Sequence, residues 1–191
     1  LAAPLLSAVG AILAFTALPI VWTAFCMTAG SAVLVVALAQ LLRIQTALFL
    51  ITIVLGGVLW LAGNLLWLAG QPIPVAALWW VGFLVVTIAG ERLELSRMLR
   101  LSRFAQASFV AALAVMITGM SVGIFAYDLG MRLLGAGLIL TAAWLLRYDI
   151  AGRLLRAGGQ AQFTALSLLA GYIWLLWGGA LALLRGGVMA G

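Results

Sequence analysis

Apolar residues run along this chain in blocks long enough to cross a bilayer, separated by glycine, proline or charge rather than by alternating polar positions. A spanning helix needs about 20 consecutive apolar residues, because in lipid each backbone N–H and C=O must be satisfied within its own helix. The pattern predicts seven transmembrane helices, at about 3–18, 22–43, 46–69, 74–95, 104–127, 130–150 and 161–184. The first division, in TALPIVWTAF, is marked by Pro19 without any charge, and one kinked helix over 3–43 would reduce the number to six. Forty apolar residues would make ~60 Å of helix, about twice the ~30 Å hydrocarbon core, so two helices are preferred. The expected fold is all-α: a polytopic transmembrane helical bundle occupying residues 1–191 as a single domain.

The break GQPIP, Gly70 to Pro74, supplies a C-terminal glycine, a proline that restricts the residue before it, and a second proline suited to a first helical turn. Trp67, Trp79 and Trp80 flank it and read as an aromatic belt at a membrane surface.

Charge changes the picture in one place above all. In IAGERLELSRMLRLSRF, residues 88–104, six of the fourteen charges fall together: Glu91, Arg92, Glu94, Arg97, Arg100 and Arg103. Continued as a helix through 91–103, the segment is amphipathic, with Leu95, Met98 and Leu99 on one stripe. It reads as a helix leaving the bilayer and lying against anionic headgroups, with Glu94 and Arg97 spaced to pair. Glu91 projects with the apolar stripe and wants an arginine from a neighbouring helix end. The matching stretch is AWLLRYDIAGRLLR, residues 143–156, where Asp149 and Arg153 are spaced as an i,i+4 pair and Arg147 is left free. A cluster joining Glu91 to Arg147 or Arg43 is one expectation; separate solvated charges are the other.

Counting arginines by side sets the orientation. Arg43, Arg92, Arg97, Arg100, Arg103, Arg147, Arg153 and Arg156 fall on one side, and Arg132 and Arg185 on the other. The positive-inside rule makes the first side cytoplasmic, which puts the N-terminus of this chain in the cytoplasm and its C-terminus in the periplasm of a bacterial inner membrane.

Composition excludes several function classes. With 67% hydrophobic and 7% charged residues and a mean hydropathy of +1.30, the chain lies far from water-soluble domains, where about a quarter of residues are charged. The net charge of +6 is carried by arginines at the ends of apolar runs, which is not the clustered basic surface of a nucleic-acid binder. Cys26 is the single cysteine, so no internal disulfide forms, and there is no histidine. The usual haem, zinc and copper ligand and the commonest general base are therefore missing. No Ser-His-Asp set, HExxH, P-loop or pair of acids at membrane depth occurs, and no enzyme is expected. The chain starts at Leu1 without a signal-peptide pattern and stops in LLRGGVMAG, as expected of a piece of a longer membrane protein.

Candidate chemistry is sparse. In TALFLITIVLGGVLWLAGNLLWLAG, Gly56, Gly63 and Gly70 recur every seven residues beside Trp60, Asn64 and Trp67. Such a groove lets a neighbouring backbone approach closely, or holds a flat ligand such as a quinone or porphyrin with Asn64 as polar contact. Gly119 and Gly123 form GxxxG next to Met116 and Met120. That pair reads as core filling or, with less support, as soft ligands for Cu(I). In YDLGMR, Asp128 and Arg132 are spaced i,i+4, as a surface pair or as a gate or substrate contact.

WWVGFLVVTIAGERLELSRMLR, AWLLRYDIAGRLLR and GNLLWLAGQPIP resemble multi-pass bacterial membrane proteins related to the NnrS type, over roughly residues 46–185. That group is associated with haem and copper and with responses to nitric oxide. The resemblance implies a central scaffold within a parent protein whose haem or copper is held on helices before Leu1 or after Gly191; the expected partners are the lipid bilayer and additional transmembrane helices of the same parent chain or of a partner subunit. It carries no metal-binding residue onto this chain. The alternatives are a small-solute or ion transporter using Asn64, Asp128 and Arg132, or a structural subunit of a membrane complex.

Overall fold

The computed structural model describes residues 2–16, 19–96 and 101–187. Among the described residues the protein is all-helical, with eight helices and no strand. They are α1 (Ala2–Leu13), α2 (Ile20–Ile44), α3 (Leu48–Leu68), α4 (Ile73–Leu95), α5 (Arg103–Val122), α6 (Tyr127–Tyr148), α7 (Ala151–Leu154) and α8 (Gly159–Arg185). All but α1 and α7 are long and apolar enough to cross a membrane, six in all. Pro19 does divide the first forty residues, but α1 has 12 residues, ~18 Å of helix, and is shorter than the crossing expected over 3–18.

The chain folds as two compact units, Leu1–Gly90 and Glu91–Gly191, divided within α4, where the sequence suggested one domain.

In the first unit, consecutive helices pack through small residues. A side chain at Gly30 of α2 would meet the Ser7 hydroxyl of α1 at 2.7 Å, and one at Gly90 of α4 would meet Ile53 of α3 at 2.8 Å. The turn from α3 to α4 is a Schellman motif. Gln71 N–H donates to Leu66 O and Gly70 N–H to Trp67 O, both at 3.0 Å, with Gly70 at φ +83°. Val75 N–H then donates to Pro72 O at 2.9 Å to open α4.

In the second unit α5 and α6 form a close hairpin, and α8 packs antiparallel on α6. Ser102 caps α5 by accepting from Ala105 N–H at 3.1 Å, so the chain is not one helix through 91–103: α4 ends at Leu95 and α5 begins at Arg103. Met98, Leu99, Arg100 and the expected Glu94–Arg97 pair lie wholly or partly outside the described residues. Helix α5 ends at Val122, five residues before the predicted boundary, because the hairpin turns where the backbones meet. A side chain at Gly130 would run into the Gly123 backbone, and one at Gly119 into Leu134 N. The GxxxG of α5 is thus a helix-packing surface, and Met116 and Met120 beside it are fully buried filling. On the other face of α6, Gly135 and Gly179 are mutually close: a side chain at either would meet the carbonyl of the other, at 2.6 and 2.8 Å.

The outer surfaces are apolar, with Phe125 91% and Trp174 76% exposed. Exposed apolar area on this scale marks contact with lipid or protein. Several hydroxyls within the long helices return to their own backbone: Thr52 to Leu48 O at 2.8 Å, Thr118 to Ala114 O at 2.9 Å and Thr141 to Gly137 O at 2.9 Å. Each of these three hydroxyls thus has its hydrogen used within its own helix. The sequence and these helices define a polytopic membrane protein.

Gly119→Ala is expected to destabilise the protein by about 1–3 kcal/mol through overpacking against rigid backbone. Gly171→Ala, where nothing lies within 4 Å, is expected to be neutral or stabilising by up to ~1 kcal/mol through helix propensity. Thermal unfolding in detergent compares the two.

Candidate functional site

Buried polar groups decide what this protein can do, because each needs a partner inside the fold or inside a ligand. Asn64, on α3, is 1% exposed. Its Nδ2 donates to Met27 O at 3.1 Å and to Ser31 Oγ at 3.1 Å, both on α2. Its Oδ1 accepts from Trp80 Nε1 of α4 at 3.0 Å. The partners fix the amide's orientation, since a carbonyl only accepts and an indole N–H only donates. Ser31 in turn donates to Thr28 O at 2.8 Å. One side chain therefore ties three helices together and has both amide donors in use.

The glycines of α3 make this possible. A side chain at Gly63 would meet Trp80 at 2.8 Å, so the indole reaches Asn64 only because that position is bare. Gly56 likewise receives the Thr87 side chain. Gly70 does not share this role and serves the turn. The rings beside the groove are engaged with α3 and α4 themselves. Trp60 stacks on Phe83 with centroids 5.2 Å apart, and Trp67 meets Trp80 edge-on at 5.7 Å. The groove considered for a quinone or porphyrin is filled by Trp80 and Thr87. The belt reading of Trp80 is corrected by the same geometry, since its indole points inward to a buried amide that needs a donor.

In the second unit, Asp128 and Arg132 form the expected pair, Nε to Oδ2 at 2.9 Å, and it is used. Arg132 Nη1 donates to Leu183 O at 3.1 Å and Leu184 O at 3.2 Å, carbonyls left without helical partners at the end of α8. Asp128 Oδ1 accepts from Gly187 N–H at 3.2 Å. The cation also sits at the negative end of the α8 dipole. The pair thus closes the end of α8.

At the opposite end of α6, Asp149 is 7% exposed. It does not pair with Arg153 as its spacing suggested, because α6 stops at Asp149, whose backbone is extended at ψ 149°. Its Oδ2 instead accepts from the Tyr172 hydroxyl of α8 at 2.6 Å, and its Oδ1 from Ile150 N–H at 2.8 Å. Nearby, Trp144 Nε1 donates to Ala105 O of α5 at 2.8 Å, with Phe109 against its ring at 4.7 Å. Glu91 is exposed, and among the described residues the ion pair present is Asp128–Arg132, so Glu91 is not bridged to Arg147. Arg147 is exposed, its guanidinium 5.9 Å from the Tyr148 ring.

Histidine is absent from the sequence, and no three His, Cys, Asp or Glu residues come together among those described. Sequence reasoning singled out Asn64, Asp128 and Arg132 but missed Ser31, Tyr172 and the Met27, Leu183 and Leu184 carbonyls. Their partnerships cross between helices, where spacing along one helix gives no signal.

Asn64 therefore joins helices of the first unit, and Asp128, Arg132 and Asp149 join helices of the second. The chain belongs to the family described as Domain of unknown function (DUF8744), whose model matches residues 1–191. No curated protein and no solved structure matches it.

Trp80→Phe is expected to cost about 1–3 kcal/mol, because it leaves the buried Asn64 oxygen without its donor. The Trp79 indole N–H is buried without an acceptor, so Trp79→Phe is expected to cost less. Unfolding of the two variants, side by side in detergent, measures the difference.

Proposed function

We propose that this chain is a structural scaffold of the bacterial inner membrane. The observation that supports the reading most strongly is Asn64, the most deeply placed amide candidate for a ligand contact, whose two donors and carbonyl all engage α2 and α4. The same use of polar groups recurs where Arg132 caps α8 and Tyr172 holds Asp149. A transport path or a ligand site leaves such groups open to its cargo, and here they are spent on helix contacts.

The sequence resemblance supports reading the parent as an NnrS-like protein associated with haem or copper. In this reading the ligands to that group belong to other helices of the parent or to a partner subunit. The intact parent, purified in detergent, is expected to show a Soret band or stoichiometric copper. A folded, colourless and metal-free parent would remove the NnrS-like part of the proposal while leaving the scaffold.

If each of the six long helices crosses once, Arg43, the cluster from Arg92 to Arg103, and Arg147, Arg153 and Arg156 share a side, whether or not α1 crosses. That side is cytoplasmic by the positive-inside rule. In a Cys26→Ala background, Ala157→Cys is expected to react with an impermeant thiol reagent only after the inner membrane is opened, and Phe125→Cys in intact spheroplasts. The reverse labelling contradicts the orientation.

A further inference from the structure

Between the start of α5 and the turn from α6 to α7 lies a cavity of about 380 Å³, lined in part by Ser102, Arg147, Tyr148, Asp149, Gly152 and Arg153. That volume is within the ~300–1,000 Å³ of small-molecule sites. Two guanidinium groups share its wall, and neither has a hydrogen-bond or ion-pair partner among the described residues. Each carries planar donors suited to bidentate contact with phosphate oxygens. Asp149 is the one acid in the wall, and both of its oxygens are already hydrogen-bonded, to Tyr172 and to Ile150 N–H. The carboxylate is thereby held, at 7% exposure, while Arg147 lies over the Tyr148 ring at 5.9 Å, a face contact that leaves its in-plane N–H donors for an anion. Gly152 also lines the cavity and is exposed, and a side chain added there would meet nothing within 4 Å. The Ser102 oxygen accepts from Ala105 N–H, which leaves its hydroxyl hydrogen available to a second acceptor.

We infer that this cavity binds a phosphate group through Arg147 and Arg153, with the Ser102 hydroxyl as an added donor. The group is carried either by an anionic phospholipid at the membrane surface or by a free phosphate ion. The lipid source rests on the membrane reading and does not depend on the scaffold role.

The test uses the full chain, purified in detergent, with native mass spectrometry to count retained phosphatidylglycerol and thermal unfolding to follow inorganic phosphate. Three variants are compared with the parent. R147A/R153A removes the proposed donors. R43A/R185A removes the same charge from positions outside the cavity. Gly152→Asp adds a carboxylate at a cavity-lining position beside Arg153, where an added side chain meets nothing within 4 Å, and keeps the test decisive where R147A/R153A fails to fold. Phosphatidylglycerol affinity is expected to fall about tenfold or more in R147A/R153A and in Gly152→Asp, as loss of charge-assisted hydrogen bonds implies, and to persist in R43A/R185A. If inorganic phosphate instead stabilises the parent, with the same two variants losing the effect and phosphatidylglycerol bound no better than phosphatidylcholine, the site holds and its ligand is the free ion. Equal retention and equal phosphate response in all variants overturn the site. Recovery of the chain outside the membrane fraction would count against the membrane reading itself, and separately against the lipid as source.

Discussion

A buried amide in an apolar helical protein must find its partners in neighbouring helices, because neither hydrocarbon nor distant water can supply them. Asn64 meets that constraint with a carbonyl and a hydroxyl from α2 and an indole from α4. The arrangement of α2, α3 and α4 follows from it. Gly63 has to be bare for Trp80 to arrive, and Ser31 has to be small and polar where α2 passes. A leucine at position 64 would keep the branched shape and lose the information about which helix belongs beside which.

The second unit solves the same problem at its two ends. Arg132 and Asp128 hold the last carbonyls and the following turn of α8, while Asp149 and Tyr172 join α6 to α8 at the other end. Between these ties, Gly119 and Gly130 bring α5 and α6 into backbone contact, and Gly135 and Gly179 do so for α6 and α8. Membrane helices gain little from hydrophobic sorting, since lipid is as apolar as their side chains. Close packing and a few specific polar bonds must therefore carry their specificity.

Much of this was legible in the sequence. Helix existence followed from apolar length, and the turn at Gly70 to Pro74 from its glycine and prolines, because both are local properties. The GxxxG of α5 and the Asp128–Arg132 spacing were readable for the same reason. Asp149 misled, because i,i+4 spacing has meaning only if the helix continues, and α6 ends there. Trp80 misled too: an indole near a turn resembles a membrane anchor until the amide it serves is known. Tyr172, 23 residues from Asp149, could not be found from periodicity, since its role depends on how α8 lies against α6.

The coupling between Asn64 and Trp80 is the most direct measure of the claim that polar groups here are spent on helix contacts. In a double-mutant cycle of Asn64→Leu and Trp80→Phe, unfolded reversibly in detergent, the account predicts a favourable coupling of about 0.5–2 kcal/mol. Additive effects, with no coupling between the two positions, would contradict it.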